Sequence, residues 1–225
     1  GGQGQYGEIH LLGLWLPRHS APLDAELARL RGHREERNLK ILDRLRSIGI
    51  NIGYQEVLDE AGGESVGRPH IARVLQKRGI VSNFAQAFEL YLGYYGAAYV
   101  PRTLLTPEEG VSLMADLGAV VSFAHPMLIR CPPSWFDEII PRLKEAGLGA
   151  IEAYHSEHSA RDERFCVELA ARYGLGLSGG SDYHGMAKPG VELGRGKGGL
   201  RVTVALLDAL KARRKRPVDD APEVL

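Results

Sequence analysis

The residues of this sequence that are best suited to chemistry are acidic and imidazole side chains that follow short apolar runs. Asp182 and His184 lie in the glycine-containing stretch 179–185, directly after the apolar run 175–177. In extended backbone, side chains two positions apart point to the same side, so these two are expected to face one point. A carboxylate oxygen and an imidazole nitrogen aimed together suit a divalent metal ion. The spacing therefore predicts a metal-binding segment, while a polar turn capped by the aspartate fits the same residues.

Two further histidines follow predicted strands in the same way. His125 comes after the apolar run 119–123, and His155 comes after the run 150–154. Helical patterns separate these runs, and such alternation of strand and helix predicts a parallel α/β layer or barrel. The carboxyl ends of parallel strands meet at one edge, where sites usually form. We therefore expect His125, His155 and the pair Asp182 and His184 to lie at that edge.

The first part of the chain adds a histidine and a helical block. Residues 8–16 form a nearly continuous apolar run, typical of a strand buried on both faces, and His10 lies within it. Residues 20–95 carry helical patterns and no strand, which predicts an insertion. Within that block Arg68 and His70 flank Pro69 in the first turn of a helix, where the positive helix end suits a phosphate. An ordinary exposed helix start explains this turn equally well.

Composition limits the classes of function. The 225 residues include 28 basic and 28 acidic side chains, so no net charge draws the chain toward nucleic acid or an anionic membrane. Cys131 and Cys166 are too few for a disulfide framework and lack metal-site spacing, which indicates a reducing, cytoplasmic location. No run approaches the roughly 18 apolar residues of a membrane span. The sequence also lacks a phosphate loop, and it has no dinucleotide-binding motif after a strand.

Several short motifs occur in order along the chain. They are Glu-Ile-His10-Leu-Leu-Gly, Arg68-Pro-His70-Ile-Ala, Tyr99-Val-Pro, Ala-His125-Pro and Gly-Ser-Asp182-Tyr-His184. This ordered set resembles the PHP (polymerase and histidinol phosphatase) family, and more narrowly its branch of nucleotide and RNA phosphoesterases with a helical insertion. The resemblance implies an α/β fold, a distorted (β/α)7 TIM-like barrel. Residues 1–19 and 96–213 would form the barrel, residues 20–95 the helical subdomain, and residues 214–225 a tail.

The resemblance also implies an activity and roles for individual residues. The activity is hydrolysis of phosphate esters by a metal-activated water, with up to three divalent ions, which would be manganese, iron or zinc. Because the histidines would coordinate as neutral imidazoles, activity should fall as the pH drops through roughly 6. The implied metal ligands are His10, His125, Asp182 and His184, the catalytic pair is Asp182 and His184, and the substrate-binding residues are Arg68, His70 and His155.

The sequence departs from the family pattern at its beginning. Members of the family start with an Asp-x-His-x-His strand and later carry Thr-Asp-His and Gly-Val-Glu segments. The first two do not occur here, and a Gly-Val-Glu occurs only at residues 190–192, after the Asp182 motif instead of before Gly1. We therefore expect that the sequence starts late and lacks the first quarter of a family member.

The expected substrate is a nucleotide or a short oligonucleotide, of the nucleoside 3′,5′-bisphosphate or 5′–3′ exoribonuclease type. We expect no membrane partner and no stable duplex nucleic-acid partner, and the oligomeric state stays open. One alternative is a non-catalytic or regulatory module that binds a partner through the helical insertion. Another is a nucleic-acid-binding protein that uses the basic helix at residues 29–46 and the tail, although the neutral net charge argues against it.

Overall fold

A computed structural model of the chain describes residues 7–185 and 188–214. These residues divide into two compact units: a helical unit, Ala21–Leu104, and an α/β unit made of the described residues before and after it. The predicted insertion ended at residue 95, whereas the helical unit continues to residue 104. The reason is that Ala98 and Val100 are buried in the core of the helical unit. Of the predicted tail, only Arg214 lies within the described residues.

The α/β unit contains a four-stranded sheet in the order β1-β2-β3-β4. Strands β2 and β3 are parallel, as are β3 and β4, while β1 runs antiparallel to β2. The predicted parallel layer is therefore confirmed for the last three strands. The described strands form this mixed α/β sheet, and a closed barrel is not seen among them. The strands are β1 (Leu11–Leu14), β2 (Val120–Phe123), β3 (Leu148–His155) and β4 (Gly176–Gly180).

Strand β1 differs from its prediction. It pairs only with β2 among the described strands, and Leu12 is 44% exposed, so the expected strand buried on both faces is wrong. His10 precedes the strand, lies exposed, and accepts a hydrogen bond from the amide of Ala124 at its carbonyl oxygen. An edge strand has a neighbour on one side only, which leaves part of an apolar run in solvent.

Helices flank the sheet, and no helix of the described residues is long and apolar enough to cross a bilayer. Two of these helices lie between successive parallel strands, where the sequence predicts helices. Their apolar faces join β2 and β3 in one core that includes Phe136, Ile140 and Leu143. In chain order the helices of this unit are α5 (Pro107–Asp116), α6 (Ser134–Ala146), α7 (Ala160–Tyr173) and α8 (Val204–Lys211).

Helix α5 shows how local sequence sets an element boundary. The hydroxyl of Thr106 accepts a hydrogen bond from the amide of Glu109, and the Glu109 carboxylate accepts one from the amide of Thr106. This reciprocal capping box satisfies amides that would otherwise lack partners at the helix start. The sequence Thr-Pro-Glu-Glu predicts this start, and the structure confirms it.

The helical unit contains four α-helices and a π-helical turn packed around its own core. The helical stretch over residues 84–92 changes its winding at Phe88, and the amide of Gly93 donates a hydrogen bond of 2.7 Å to the carbonyl of Phe88. A π-turn holds one residue more per hydrogen-bonded ring and often occurs at functional positions. The elements are α1 (Ala21–Ser47), α2 (Tyr54–Ala61), α3 (Arg68–Lys77), α4 (Phe84–Ala87) and the π-turn Phe88–Leu92.

Candidate functional site

The predicted ligands of the α/β unit lie at one edge of the sheet. His125 follows β2, His155 is the last residue of β3, and Asp182 follows β4. These strands are parallel, so their carboxyl ends share an edge. Because β1 is antiparallel to β2 and its Leu11 pairs with Phe123, the amino-terminal end of β1, with His10, reaches the same edge.

His10 and His125 form the first pair of the cluster. Nδ1 of His10 lies 3.2 Å from Nε2 of His125, and the ring centroids are 4.9 Å apart. Burial lowers the pKa of His125 below that of free imidazole, and the nearby His10 lowers it further. Nδ1 of His125 is buried without a hydrogen-bond partner. His125 therefore favours the neutral form, which is the form that binds metals.

Glu152 is a site residue that the sequence reasoning missed. It lies in the middle of β3, only 4% exposed, and its Oε2 accepts a hydrogen bond of 2.7 Å from the amide of His125. Burial raises the pKa of this carboxyl group to about 7, the His125 amide opposes the rise, and Asp182 adds to it. The sequence did contain a signal for Glu152, namely a carboxylate within the apolar run of a predicted strand. An unpaired glutamate is rarely buried without a role.

The hydrogen bond from His125 to Glu152 is accompanied by unusual backbone geometry. His125 has φ 31° and Asp182 has φ 53°, in the left-handed region that residues with a side chain seldom adopt. Only three non-glycine residues of the described chain have positive φ, and two of them are predicted metal ligands. Such strain persists where surrounding contacts hold it, and it concentrates at functional sites.

Gly180 leaves room for Glu152, which yields a prediction. A Cβ at position 180 would lie 2.9 Å from Oε1 of Glu152. We expect Gly180→Ala to displace that carboxylate and to lower the free energy of unfolding by about 1–3 kcal/mol, the usual cost of overpacking. Urea denaturation followed by circular dichroism measures this change. Gly199→Ala is the matched control, since a Cβ there meets no atom within 4 Å. Equal stability of the two variants would contradict the expectation.

His155 is buried between the two groups of predicted ligands. Its Nδ1 accepts a hydrogen bond of 3.1 Å from the amide of Glu157, so the proton of the neutral ring belongs on Nε2. Nε2 lies 3.7 Å from Oδ2 of Asp182 and is buried without a hydrogen-bond partner. Burial, followed by the charges of His158 and His125, lowers the pKa of His155 to about 4. The ring is thus a neutral N–H donor at physiological pH.

Asp182 and His184 form the second pair, but the backbone conformation that brings them together differs from the predicted extended strand. Strand β4 ends at Gly180, and the left-handed backbone at Asp182 replaces the extended geometry that the sequence suggested. Nδ1 of His184 lies 2.9 Å from the carbonyl oxygen of Asp182 and 3.4 Å from its Oδ1. A tight turn, and not alternation along a strand, therefore brings the two side chains together.

Lys188 contacts the predicted catalytic carboxylate. Its Nζ donates a hydrogen bond of 2.6 Å to Oδ2 of Asp182 and lies 2.8 Å from Oε1 of Glu157. Burial raises the pKa of Asp182, but the hydrogen bond and charge of Lys188 outweigh it and hold that pKa below its ordinary value. The ammonium group is therefore the cation that neutralises Asp182 in this structure.

His158 lies beside His155, with ring centroids 5.1 Å apart. Its Nδ1 is 2.8 Å from the carbonyl oxygen of Ala153, which can only accept, so Nδ1 carries the proton. The Nε2 lone pair is left buried without a hydrogen-bond partner. His158 thus presents a free imidazole lone pair, although the sequence assigned it no role.

The four predicted ligands form two adjacent pairs. Among the described residues, no three His, Cys, Asp or Glu side chains surround one point closely enough to hold an ion. These side-chain positions of the described residues therefore contain no preassembled set of three ligands, and the assignment of metal ligands stays a prediction. The chemistry of the donor set nevertheless fits a divalent cation, because it combines buried imidazole nitrogens that lack partners with a carboxylate favoured in its ionised form.

The other predicted substrate contacts belong to the helical unit. Arg68 begins α3, donates a hydrogen bond of 2.9 Å to the carbonyl of Leu92, and stacks over the ring of Phe88 at 5.6 Å. His70 is buried, and its Nδ1 accepts a hydrogen bond from the amide of Gly67. The helix start is therefore capped by its own third residue, and the predicted phosphate contact of these two residues stays a prediction.

Comparison with known proteins identifies the relatives of this chain. No family model matches it. It is 30% identical over 189 residues to the 5′-3′ exoribonuclease Rnm of Escherichia coli, a match that covers 84% of this chain and 64% of that protein. It is 27% identical over 212 residues to the 3′,5′-nucleoside bisphosphate phosphatase of Chromobacterium violaceum, covering 94% of this chain and 74% of that protein.

A solved structure supports the same grouping. A candidate metal-dependent phosphoesterase from Bifidobacterium adolescentis superposes with a TM-score of 0.69 at 26% identity, covering 93% of this chain and 73% of that one. The chain spans just under two thirds of the length of the exoribonuclease it matches. The resemblance predicted from the ordered motifs is confirmed, because the chain is similar to an exoribonuclease, to a nucleoside bisphosphate phosphatase and to a candidate metal-dependent phosphoesterase.

Proposed function

We propose that the protein hydrolyses phosphate esters of nucleotides or short oligonucleotides in a metal-dependent reaction. The observation that carries this proposal is the cluster of imidazole nitrogens and carboxylates at one edge of the sheet, which links His10, His125, His155 and Asp182 through successive contacts. The names of the relatives, an exoribonuclease and a nucleoside bisphosphate phosphatase, support the substrate class.

We assign the metal ligands as the sequence predicts them. His10, His125, Asp182 and His184 would hold the ions, which we propose to be manganese, iron or zinc, up to three in number. Divalent ions supply Lewis acidity, which makes water nucleophilic at neutral pH and offsets charge on phosphoryl oxygens. The buried Nε2 of His158 is a further nitrogen with a free lone pair near this cluster.

The remaining residues of the cluster orient a metal ligand or donate a hydrogen bond. Glu152 fixes the backbone of His125 in its left-handed conformation through the 2.7 Å hydrogen bond and so sets the direction of that ring. His155 presents a neutral Nε2–H on the side of Asp182, where it can donate a hydrogen bond to a phosphoryl oxygen. This supports the substrate-binding role that the sequence predicts for His155. Arg68 and His70 stay our candidates for a second phosphate contact.

Two observations support a competing function. Lys188 neutralises Asp182, and the described residues do not converge as a set of three on one point. A regulatory module that has lost catalysis would show such an arrangement. The two functions differ in metal content, since the enzyme should hold one or more equivalents of a transition metal and the module none.

Metal removal tests the proposed function. We expect purified protein to release phosphate from a nucleoside 3′,5′-bisphosphate or to shorten a 5′-phosphorylated oligonucleotide. Dialysis against a chelator should reduce that rate by at least ~100-fold, and manganese should restore it, because water is a poor nucleophile at neutral pH without a Lewis acid. Elemental analysis provides the parallel count of bound metal. Protein that binds no metal and hydrolyses neither substrate would favour the regulatory module.

A further inference from the structure

The helical unit contains a group of arginines that form no ion pair with its carboxylates. Several basic residues there pair with acids, as in the ion pairs Arg46–Asp43 and Arg78–Glu56. Four other arginines donate to neutral oxygens, and within the described chain none of them forms an ion pair. These bonds run from Arg34 to the Ser65 hydroxyl, from Arg37 to the Val100 carbonyl, from Arg44 to the Tyr99 carbonyl, and from Arg68 to the Leu92 carbonyl.

Three of these arginines bond to a single stretch of chain, residues 92–100. Arg37 is the most enclosed of them, only 8% exposed, and its Nη2 is buried without a hydrogen-bond partner. Burial, followed by the charges of Arg68 and Arg102, lowers the pKa of Arg37 to about 10. A guanidinium group so rarely loses its proton that the whole cluster stays cationic at neutral pH. The surroundings of this stretch therefore favour an anion.

The same stretch presents aromatic rings to solvent. Tyr94 is 67% exposed and Tyr95 is 94% exposed. The two rings stand edge to face with centroids 4.9 Å apart, and the Tyr99 ring lies 5.3 Å from that of Tyr94. Gly96 makes this turn possible, because a Cβ at that position would lie 2.4 Å from the carbonyl carbon of Tyr91. Tyr94 and Tyr95 therefore lie outside the core of the helical unit, and Tyr99 is half-buried beside them.

We propose that Tyr94 and Tyr95 form a base-stacking site for single-stranded RNA, with Arg37 and Arg44 attracting the adjacent phosphates. Exposed aromatic rings beside a cationic surface are the combination that proteins use to bind single strands, because every base offers a flat face and every nucleotide an anion. We call residues 94–95 the tyrosine step. This proposal rests on the proposed function, because RNA is then a substrate of the same protein. The tyrosine step is the part of the helical unit that holds the RNA.

Binding without catalysis tests the tyrosine step. Fluorescence anisotropy with a labelled single-stranded RNA of about eight nucleotides, in the presence of a chelator, gives the affinity while hydrolysis is suppressed. We expect Tyr94→Leu/Tyr95→Leu to weaken binding by about 10–100-fold, since stacking contributes roughly 1–3 kcal/mol per base. The matched control is Tyr94→Phe/Tyr95→Phe, which keeps both rings and should bind within about twofold of the unchanged protein. The high exposure of both residues makes either variant compatible with folding.

A second probe separates base stacking from nonspecific binding. An RNA of the same length with abasic positions keeps the phosphates and loses the bases, so the leucine variant should bind it as well as the unchanged protein does. The proposal is overturned if the leucine variant retains its RNA affinity, if the phenylalanine variant loses it equally, or if both variants lose the abasic strand. The last result would show that the substitutions disturb contacts to the phosphate backbone and do not act through base stacking. Hydrolysis of a small phosphate monoester is assayed separately, so failure of the proposed function and failure of this site are distinguishable.

Discussion

Replacing Asp182 by alanine should lower kcat/KM on a nucleotide phosphate ester by more than ~100-fold while leaving the fold intact. The estimate follows from metal sites in general, where loss of a residue that only supports a ligand already costs about 10–100-fold. Asp182 lies between the imidazoles of His155 and His184, and its pKa is held below the ordinary value, so it is an anionic ligand candidate at any physiological pH.

The measurement is steady-state kinetics together with thermal unfolding. Asp182→Asn is a useful companion, because it keeps the shape of the side chain and removes the charge. Asp208→Ala is the matched control, since Asp208 is exposed on α8 and no side-chain bond involves it in the described chain. Near-normal turnover in Asp182→Ala would remove this residue from the mechanism. If Asp182→Ala is inactive because it does not fold, its thermal unfolding transition is lost. The asparagine variant then decides the question, since it should fold and still be inactive.

Replacing Lys188 by methionine should raise the affinity of the protein for manganese by about tenfold, equivalent to about 1.4 kcal/mol. The ammonium group of Lys188 occupies Oδ2 of Asp182 at 2.6 Å, so a metal ion must displace it before that oxygen can coordinate. Methionine has similar length and no charge, so the competing cation is removed without leaving a cavity.

Isothermal titration of chelator-treated protein with manganese gives the affinity directly, independent of turnover. Lys197→Met is the matched control, because Lys197 lies 3.8 Å from Glu157, the other carboxylate that Lys188 contacts. This control removes the same charge from the neighbourhood and leaves Asp182 paired, so its affinity should stay within about twofold. If Lys188→Met binds manganese no more tightly than Lys197→Met, the lysine does not compete with the metal.

Local chemistry explains which elements were predictable. Helix α5 starts at a Thr-Pro-Glu-Glu box, and α6 and α7 end at Gly147 and Gly174, which adopt the left-handed conformation that glycine favours. These signals act within a few residues, so no distant contact is needed to read them. The alternation of apolar runs and helices likewise indicated three parallel strands, and with them the shared edge for His125, His155 and Asp182.

Contacts between distant residues explain what the sequence could not predict. His10 and His125 are separated by 115 positions, and they meet only because β1 joins the sheet antiparallel at its edge. The same pairing exposes one face of β1, which the apolar run alone did not indicate. Glu152 acquires its raised pKa from burial and from the charge of Asp182, and neither is encoded within its own strand.

The sequence by itself thus determined the family resemblance, the order of the helices and parallel strands, and the edge at which the ligands meet, because each depends on short-range patterns. Only the tertiary structure decided how those ligands are grouped. The left-handed turn at Asp182, the ammonium of Lys188 on its carboxylate, and the support of His125 by Glu152 all arise from residues brought together by folding. Hydrogen bonds and burial act through space, and spacing along the chain does not specify them.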